Sequence, residues 1–255
     1  MVDNRQDPQV TAQLVQILGR VPDLVARAAA VGRSGVSPGS RAATDASTPL
    51  GHHVRIQAID RLASGVEHLD MWHRLLLAGV QPNTVHITLI RGAMEGAVTC
   101  RWLIGPEDSV ERVRRGVALL LDDYANRREF EDDFGVSPDA IKPPAKNAAT
   151  RIAELKAARD TAKIGPIKVP SMTYRFGGYI GMSAPHGRSM YRLLSAYAHG
   201  MQWKAMTTKF ELVEGAPEVA GGRVAKVSAN DEMAVMLTDL GVTTVAAALR
   251  ELEAY

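Results

Sequence analysis

Apolar residues recur every three or four positions over much of the chain, which is the spacing of amphipathic helices. Helices are predicted at residues 8–30, 53–78, 84–104, 107–134, 145–163, 187–206 and 231–254. Segment 84–104 differs from the others because apolar or small residues occupy nearly every face of the helix. We therefore predict that this helix is buried at the centre of a helical bundle.

Three segments interrupt the helical pattern. Segment 32–52 is dense in Gly, Ser, Thr and Pro and has almost nothing to bury, which predicts a flexible loop. Segment 164–187 contains three prolines and five glycines, which is typical of a long loop that lines a site. Alternation within 208–228 predicts a small hairpin. The overall prediction is a single all-α domain over residues 1–255, a bundle of six to seven helices with a small C-terminal β-hairpin.

The composition is that of a globular protein, since 46% of the 255 residues are hydrophobic and 23% are charged. No run approaches the roughly 18 apolar residues of a membrane helix, and the N-terminal residues lack the pattern of a signal peptide. These features, with a single cysteine, Cys100, predict a cytoplasmic protein without a membrane partner. The net charge is only +2, so any binding of nucleic acid depends on a local basic patch.

The predicted helix 187–206 carries a polar stripe within about 60° of its circumference. The stripe consists of Arg188, Arg192, Ser195 and His199. It is either a solvated face or a site, and the presence of Ser and His where a solvated face usually has Glu and Lys favours a site. Arg188 follows a glycine-rich segment at the start of the helix, where backbone amides attract anions, and is a candidate phosphate-binding residue.

A second polar stripe lies on helix 84–104, which is otherwise apolar. It consists of Thr84, Thr88, Arg91, Glu95 and Thr99. Arg91 and Glu95 are four residues apart, and charges on a buried helix persist only when they are paired. Small residues at 92, 93, 96 and 97 allow another helix to approach closely. The ion pair is either structural or faces the stripe on helix 187–206, forming a cleft with Glu95 near Arg192 or His199.

Two segments resemble known families. The stretches IRGAMEGAVTCRWLI and YRLLSAYAHG, within residues 84–200, are similar to a group of uncharacterised bacterial all-helical proteins with an Arg-x-x-x-Glu helix and a Tyr-Arg-x-x-Ser-x-x-x-His helix. The second stretch also resembles the HEPN superfamily, helical proteins of toxin, antiphage and RNA-processing systems. That superfamily is identified by an arginine and a histidine separated by four to six residues, and here six residues separate Arg192 from His199.

The resemblance implies metal-independent cleavage of RNA, by an endoribonuclease or a toxin or antiphage effector, at a site formed across a homodimer. By this analogy His199 would be the general base or acid, and Arg192 would hold the phosphate. The supporting residues would be Tyr191, Ser195, Arg91 and Glu95.

Two other classes of function stay open. The chain would be a non-catalytic helical sensor or a module that binds a protein partner, or it would be a small-molecule enzyme with a pocket between helices 84–104 and 187–206. We predict no metal and no cofactor, because a di-metal bundle needs a second carboxylate and histidine pair on a facing helix. The histidines and the carboxylate considered for such a site were His52, His53, His68, His73 and Asp70.

Overall fold

The computed structural model describes residues 7–80, 84–136, 146–202, 208–212 and 225–255. The helices in these residues are α1 (Pro8–Leu18), α2 (Val21–Arg33), α3 (Arg41–Ala46), α4 (His52–Leu77), α5 (Thr84–Ile104), α6 (Ser109–Asp133), α7 (Ala148–Thr161), α8 (Met172–Tyr179), α9 (Ala184–Ala198) and α10 (Asp231–Glu253). The all-α prediction is confirmed, although the described residues form ten helices where six to seven were expected.

Helix α5 is the centre of the bundle, as its apolar character predicted. Its residues Ile87, Ile90, Met94 and Leu103 are completely buried. The helix packs against α4 and α10, and also against α8 and α9. Because α5 is covered on several sides, its side chains have little freedom to move, and polar groups on it are held at defined positions.

Helices α4 and α5 approach each other closely through glycines. A Cβ atom added to Gly65 of α4 would lie 2.7 Å from the carbonyl oxygen of Ala93 on α5, and one added to Gly96 of α5 would collide with the backbone of Arg61 on α4. Neither position accepts a side chain without movement of backbone. The close approach predicted from residues 92, 93, 96 and 97 is therefore confirmed, and α4 is the partner helix.

The predicted helix over 8–30 is two helices. The apolar periodicity continues in phase through the break, which explains the error. Helix α1 ends before Gly19, and α2 has Pro22 in its first turn. Proline has no backbone N–H and cannot continue the hydrogen-bond ladder of the preceding helix, so the chain stops and restarts here.

The region of the predicted loop 164–187 and helix 187–206 also differs from the prediction. Helix α8 lies within the loop segment, where Ser171 accepts a hydrogen bond from the backbone N–H of Tyr174. Helix α9 begins earlier than expected and ends at Ala198, well before residue 206. Gly200 adopts a left-handed conformation with φ +65°, and the N–H of Met201 donates to the carbonyl of Ala196 at 2.9 Å. This arrangement is a Schellman motif, which ends a helix.

Segment 32–52 contains ordered structure where a flexible loop was expected. Its helix α3 carries Asp45, which is completely buried. The Asp45 carboxylate accepts hydrogen bonds from Nε and Nη2 of Arg112 at 2.8 and 2.7 Å, from Ser109 Oγ at 2.5 Å, and from the Tyr255 hydroxyl. These partners lie on or beside α6 and α10, so the anchoring is tertiary and is invisible in local composition.

Strands β1 (Thr208–Leu212) and β2 (Ala225–Ala229) pair antiparallel with Phe210 opposite Val227, in the region of the expected hairpin. The residues between them lie outside the described part of the chain. Helix α10 follows, with Asn230 accepting the N–H groups of Glu232 and Met233, as expected for its N-cap. Helix α10 has the length and composition of a membrane span, but 56% of its most apolar window is buried in the bundle.

Candidate functional site

Arg91 and Glu95 form the ion pair that their spacing predicted. Arg91 Nε donates to Glu95 Oε1 at 2.7 Å, and the two side chains are 17% and 29% exposed. Burial acts to lower the pKa of Arg91, but the hydrogen bond and charge of Glu95 outweigh it and raise that pKa above its ordinary value. Because Glu95 uses the Nε edge of the guanidinium, the two terminal nitrogens of Arg91 point away from it.

The terminal nitrogens of Arg91 face helix α9. Nη1 lies 3.3 Å from Nε2 of His199, and Nη2 lies 3.4 Å from the hydroxyl of Tyr191. The guanidinium also lies over the Tyr191 ring, 5.5 Å from its centroid, and that ring packs against Phe176 of α8 at 4.9 Å. The polar stripes of α5 and α9 therefore meet, and the residues that join them are Arg91, Glu95, Tyr191 and His199.

His199 owes its position to the end of helix α9. It is the C-cap residue, and its backbone N–H donates to the carbonyl of Ser195. The Schellman motif that follows holds the imidazole beside Arg91 while leaving it exposed to solvent. In the neutral tautomer with the proton on Nδ1, the lone pair of Nε2 faces the N–H of Arg91 Nη1.

Arg192 does not join this group. Successive residues of a helix turn by about 100°, so a rotation that directs Tyr191 toward α5 directs Arg192 outward. Its exposed side chain lines an open, largely apolar groove of about 740 Å³ with Met182, Met190 and Leu193. Among the residues that the structure describes, Arg192 makes no hydrogen bond or ion pair, so its guanidinium is open to an external partner.

Two further candidates of the α9 stripe are half-buried. Arg188 lies against helix α8, where a Cβ atom added to Gly177 would be 3.2 Å from Arg188 Cγ. Ser195 lies one turn before His199 and accepts its backbone N–H. On the α5 stripe, Thr88 is exposed and Thr99 is buried, so the stripe runs from solvent into the core.

The charge of the chain is distributed unevenly around α9. No aspartate or glutamate occurs between Asp160 and Glu211. The basic residues of this stretch are Lys163, Lys168, Arg175, Arg188, Arg192, Lys204 and Lys209. The rest of the chain contains the other 23 of the 30 basic residues and all 28 acidic residues. The net charge of +2 is therefore the sum of a basic segment and an acidic remainder. The exposed members of this basic segment, such as Arg192, favour contacts with polyanions.

A separate polar cleft of about 570 Å³ opens beside α5, and α4, α6 and α8 complete it. Its lining contains Arg61, Asp123, Glu95, Thr99 and Arg175, but no residue of α9. This cleft is therefore not the pocket predicted between helices 84–104 and 187–206, which stays a prediction. Sequence reasoning missed Arg175 because it falls in the segment expected to be a loop.

His68 also lines this cleft, although it is not among the site residues that the sequence predicts. Its Nδ1 is 2.7 Å from the carbonyl oxygen of Ser64, so Nδ1–H is the donor in the neutral ring and Nε2 is free to accept. No signal in the sequence separated His68 from the other histidines of α4. Within the described ranges, no three His, Cys, Asp or Glu side chains form a group suited to a metal ion.

Comparison of the chain with protein-family models, with curated proteins and with solved structures finds no significant match. The similarity to HEPN proteins, noted from the stretch YRLLSAYAHG, therefore stays a prediction. Any function of the site must be argued from the geometry of its residues.

Proposed function

We propose that this protein acts on RNA in the cytoplasm, as a metal-independent endoribonuclease whose reactive groups are His199 and Arg91. The observation that carries the proposal is the contact of 3.3 Å between Arg91 Nη1 and His199 Nε2, in which His199 belongs to the basic segment between Asp160 and Glu211. An imidazole and a guanidinium edge that converge in this way suit a phosphodiester, since one exchanges a proton and the other binds phosphate oxygens.

In the proposed reaction, the RNA phosphate takes the N–H of Arg91 Nη1 from His199, and the freed lone pair of His199 Nε2 accepts the proton of a ribose 2′-hydroxyl. The 2′ oxygen then forms a bond to phosphorus while the bond to the 5′ oxygen breaks. The departing 5′ oxygen takes a proton from water or from the second imidazole of a homodimer. The products are a 2′,3′-cyclic phosphate and a 5′-hydroxyl. Arg91 stabilises the charge that develops on the non-bridging oxygens.

The other residues have positioning and binding roles in this proposal. Glu95 binds the Nε edge of Arg91 and so directs its terminal nitrogens outward, and Tyr191 supports the guanidinium from one face. Arg192 and Arg188 contribute contacts to the RNA backbone. This assignment differs from the HEPN pattern, in which the arginine of the motif would hold the reacting phosphate, because Arg192 points away from Arg91.

The test is cleavage of mixed structured RNA in EDTA by the wild type, Arg91→Ala, Arg192→Ala and His199→Ala, with His73→Ala as the matched histidine control on α4. We expect His199→Ala to lower the cleavage rate by about 10²- to 10⁴-fold, which is the usual contribution of a general acid or base. Arg91→Ala should have a comparable effect, and the control none. Circular dichroism checks that each variant is folded. Cleavage by His199→Ala at the wild-type rate would refute the proposal.

RNA binding is measured separately by fluorescence anisotropy over a series of salt concentrations. Each phosphate contact contributes about 0.7 to the slope of log affinity against log salt concentration for a single strand. We expect Arg192→Ala to reduce the slope by about that amount, whereas Arg128→Ala on the acidic helix α6 should leave it unchanged. RNA binding without cleavage would favour a non-catalytic module that binds RNA, and the absence of RNA binding would refute the proposal that this protein acts on RNA.

A further inference from the structure

The polar cleft beside α5 contains a buried cation that makes no direct ion pair with the described residues. Arg175 is only 6% exposed, and no carboxylate of the described residues forms an ion pair with it. Its Nε donates to the carbonyl of Pro170 at 3.1 Å, and its Nη1 donates to Thr99 Oγ1 at 2.8 Å. The guanidinium also lies 5.2 Å from the centre of the Trp102 ring. These contacts orient the charge but do not neutralise it.

One nitrogen of this guanidinium remains available. Nη2 of Arg175 makes no hydrogen bond to the described residues, and Arg175 lines the cleft. Burial and the charge of Arg61 lower the pKa of Arg175, and the charges of Asp122, Asp123 and Glu95 offset this only in part. Because the buried guanidinium has no carboxylate in direct contact, an anionic group that enters the cleft would stabilise it.

The rim of the cleft has the opposite charge. Arg61 is paired with Asp123, and Glu95 is paired with Arg91. Asp60 and Asp122 also line the cleft, are exposed, and have no ion pair among the described residues. The charges without a direct ion pair among the described residues are thus one buried cation at the floor and two carboxylates at the rim, of which Asp122 acts on Arg175 only at longer range. His68 adds a free acceptor nitrogen on the wall.

A ligand complementary to these charges carries one anionic group and two cationic groups. The anion must enter first, because the cation it meets is buried, and the cationic groups must lie toward solvent. A basic amino acid has this constitution at neutral pH, with one carboxylate, one ammonium and a charged side chain. A volume of about 570 Å³ is sufficient for such a molecule, since pockets for small ligands range from about 300 to 1,000 Å³.

We infer that the cleft binds a free basic amino acid, with its carboxylate on Arg175 and its cationic groups between Asp60 and Asp122. The site is distinct from the contact between Arg91 and His199, although Glu95 lines the cleft and pairs with Arg91. The inference does not depend on RNA cleavage, because Arg175, Asp60 and Asp122 have no part in the proposed reaction.

The test is isothermal titration calorimetry of the full chain with three probes. L-Arginine has the complete set of charges, agmatine lacks the carboxylate, and L-citrulline lacks the charge of the side chain. We expect the wild type to bind L-arginine about ten- to a hundredfold more tightly than agmatine, because a hydrogen bond between charged groups is lost in agmatine. L-Citrulline should also bind more weakly than L-arginine, and L-lysine should bind in place of L-arginine.

Two variants test which protein residue binds the carboxylate of the ligand and which binds its charged side chain. In Arg175→Gln, L-arginine and agmatine should bind with similar affinity, since the partner of the carboxylate has been removed. In Asp122→Asn, the preference for L-arginine over L-citrulline should shrink. Asp132→Asn, on an exposed position of the same helix α6, is the matched control and should keep both preferences. Circular dichroism checks the fold, and because Asp122 is exposed, its variant keeps the test decisive if Arg175→Gln fails to fold.

Equal affinity of the wild type for L-arginine and agmatine would overturn the inference, as would the absence of saturation by L-arginine or L-lysine up to about 10 mM. Loss of RNA cleavage by His199→Ala has no bearing on either result, so failure of this inference and failure of the proposed function are distinguishable.

Discussion

Replacing Asp45 by asparagine removes one charge from a deeply buried ion pair. The side chains of Arg112 and Asp45 are 2% and 1% exposed. In Asp45→Asn, Arg112 keeps its bonds to the carbonyls of Pro106 and Glu107 at 2.7 and 2.6 Å, but loses its counter-ion. The asparagine NH₂ group would also face the arginine donors, so the variant buries an uncompensated positive charge.

The magnitude follows from the contacts. Two charge-assisted hydrogen bonds join Arg112 to Asp45, and such bonds contribute about 1.5 to 3 kcal/mol each. In other proteins, removal of one partner of a buried ion pair lowers the unfolding free energy by about 3 to 5 kcal/mol. The two estimates agree on about 3 to 5 kcal/mol of unfolding free energy. For a chain of this length, this corresponds to a decrease of about 6 to 20 °C in Tm.

The assay is urea unfolding followed by circular dichroism, with Asp132→Asn as control. Asp132 is 70% exposed and lies 3.5 Å from Arg128, so its loss should cost about 0.5 kcal/mol or less. A second variant, Asp45→Asn with Arg112→Met, should recover much of the lost stability because it removes the stranded charge. If Asp45→Asn unfolds at the same urea concentration as the wild type, the account of this network is wrong.

The same carboxylate predicts sensitivity to acid. Burial acts to raise the pKa of Asp45, but hydrogen bonds from Arg112, Ser109 and Tyr255 outweigh it and hold that pKa below its ordinary value of 3.8. A carboxyl with a lowered pKa stabilises the folded state above the unfolded pKa, and this contribution is lost as pH falls through the folded value. The wild type should therefore lose stability below about pH 4, and Asp45→Asn should show a smaller dependence on pH in this range.

Two more predictions concern the core. Gly65→Ala should lower the unfolding free energy by about 1 to 3 kcal/mol in urea unfolding, because its Cβ would lie 2.7 Å from the carbonyl oxygen of Ala93. A Cβ atom added at Gly32 would lie 3.9 Å from the nearest atom, Cγ2 of Ile59, so Gly32→Ala should be neutral or stabilising. Equal effects of Gly65→Ala and Gly32→Ala would contradict the close contact between α4 and α5. Burial raises the pKa of the Cys100 thiol, so a disulfide reagent should leave the native protein unmodified and label one thiol per chain in denaturant. Rapid labelling of the native protein would refute that burial.

The parts of the fold that follow from local pattern were predictable. Helix α5 was identified with its bounds and its burial, because apolar residues on every face leave no other arrangement. The break between α1 and α2 was missed because hydrophobic periodicity is the same on both sides of Gly19. Helix α3 was missed because its stability comes from Arg112, 67 residues further along the chain, and such a contact leaves no trace in the composition of segment 32–52.

The candidate site, like the fold, has features that the sequence predicts and features that it does not. Spacing alone predicted the pair of Arg91 and Glu95, but it left open whether that pair faces the stripe of α9. The rotation and the end of α9 are set by packing and by the turn at Gly200, so the sequence placed Arg192 and His199 together, whereas only His199 meets Arg91. The polar cleft draws its residues from four helices that are far apart in the chain, and no local pattern reveals such a group.

The two ion pairs of the core allow a structural role to be separated from a functional one. Arg112 is enclosed, and all three of its nitrogens donate to protein oxygens at 2.8 Å or less. Arg91 has one bond of that kind, to Glu95, while its terminal nitrogens reach His199 and Tyr191 only at 3.3 and 3.4 Å. Long hydrogen bonds at a partly exposed guanidinium contribute little stability. An ion pair with only a structural role would therefore stabilise the fold more if its guanidinium were enclosed by short hydrogen bonds, as that of Arg112 is. Arg91 is instead fixed on one edge and available on the other, which is the arrangement that a residue binding an external anion requires.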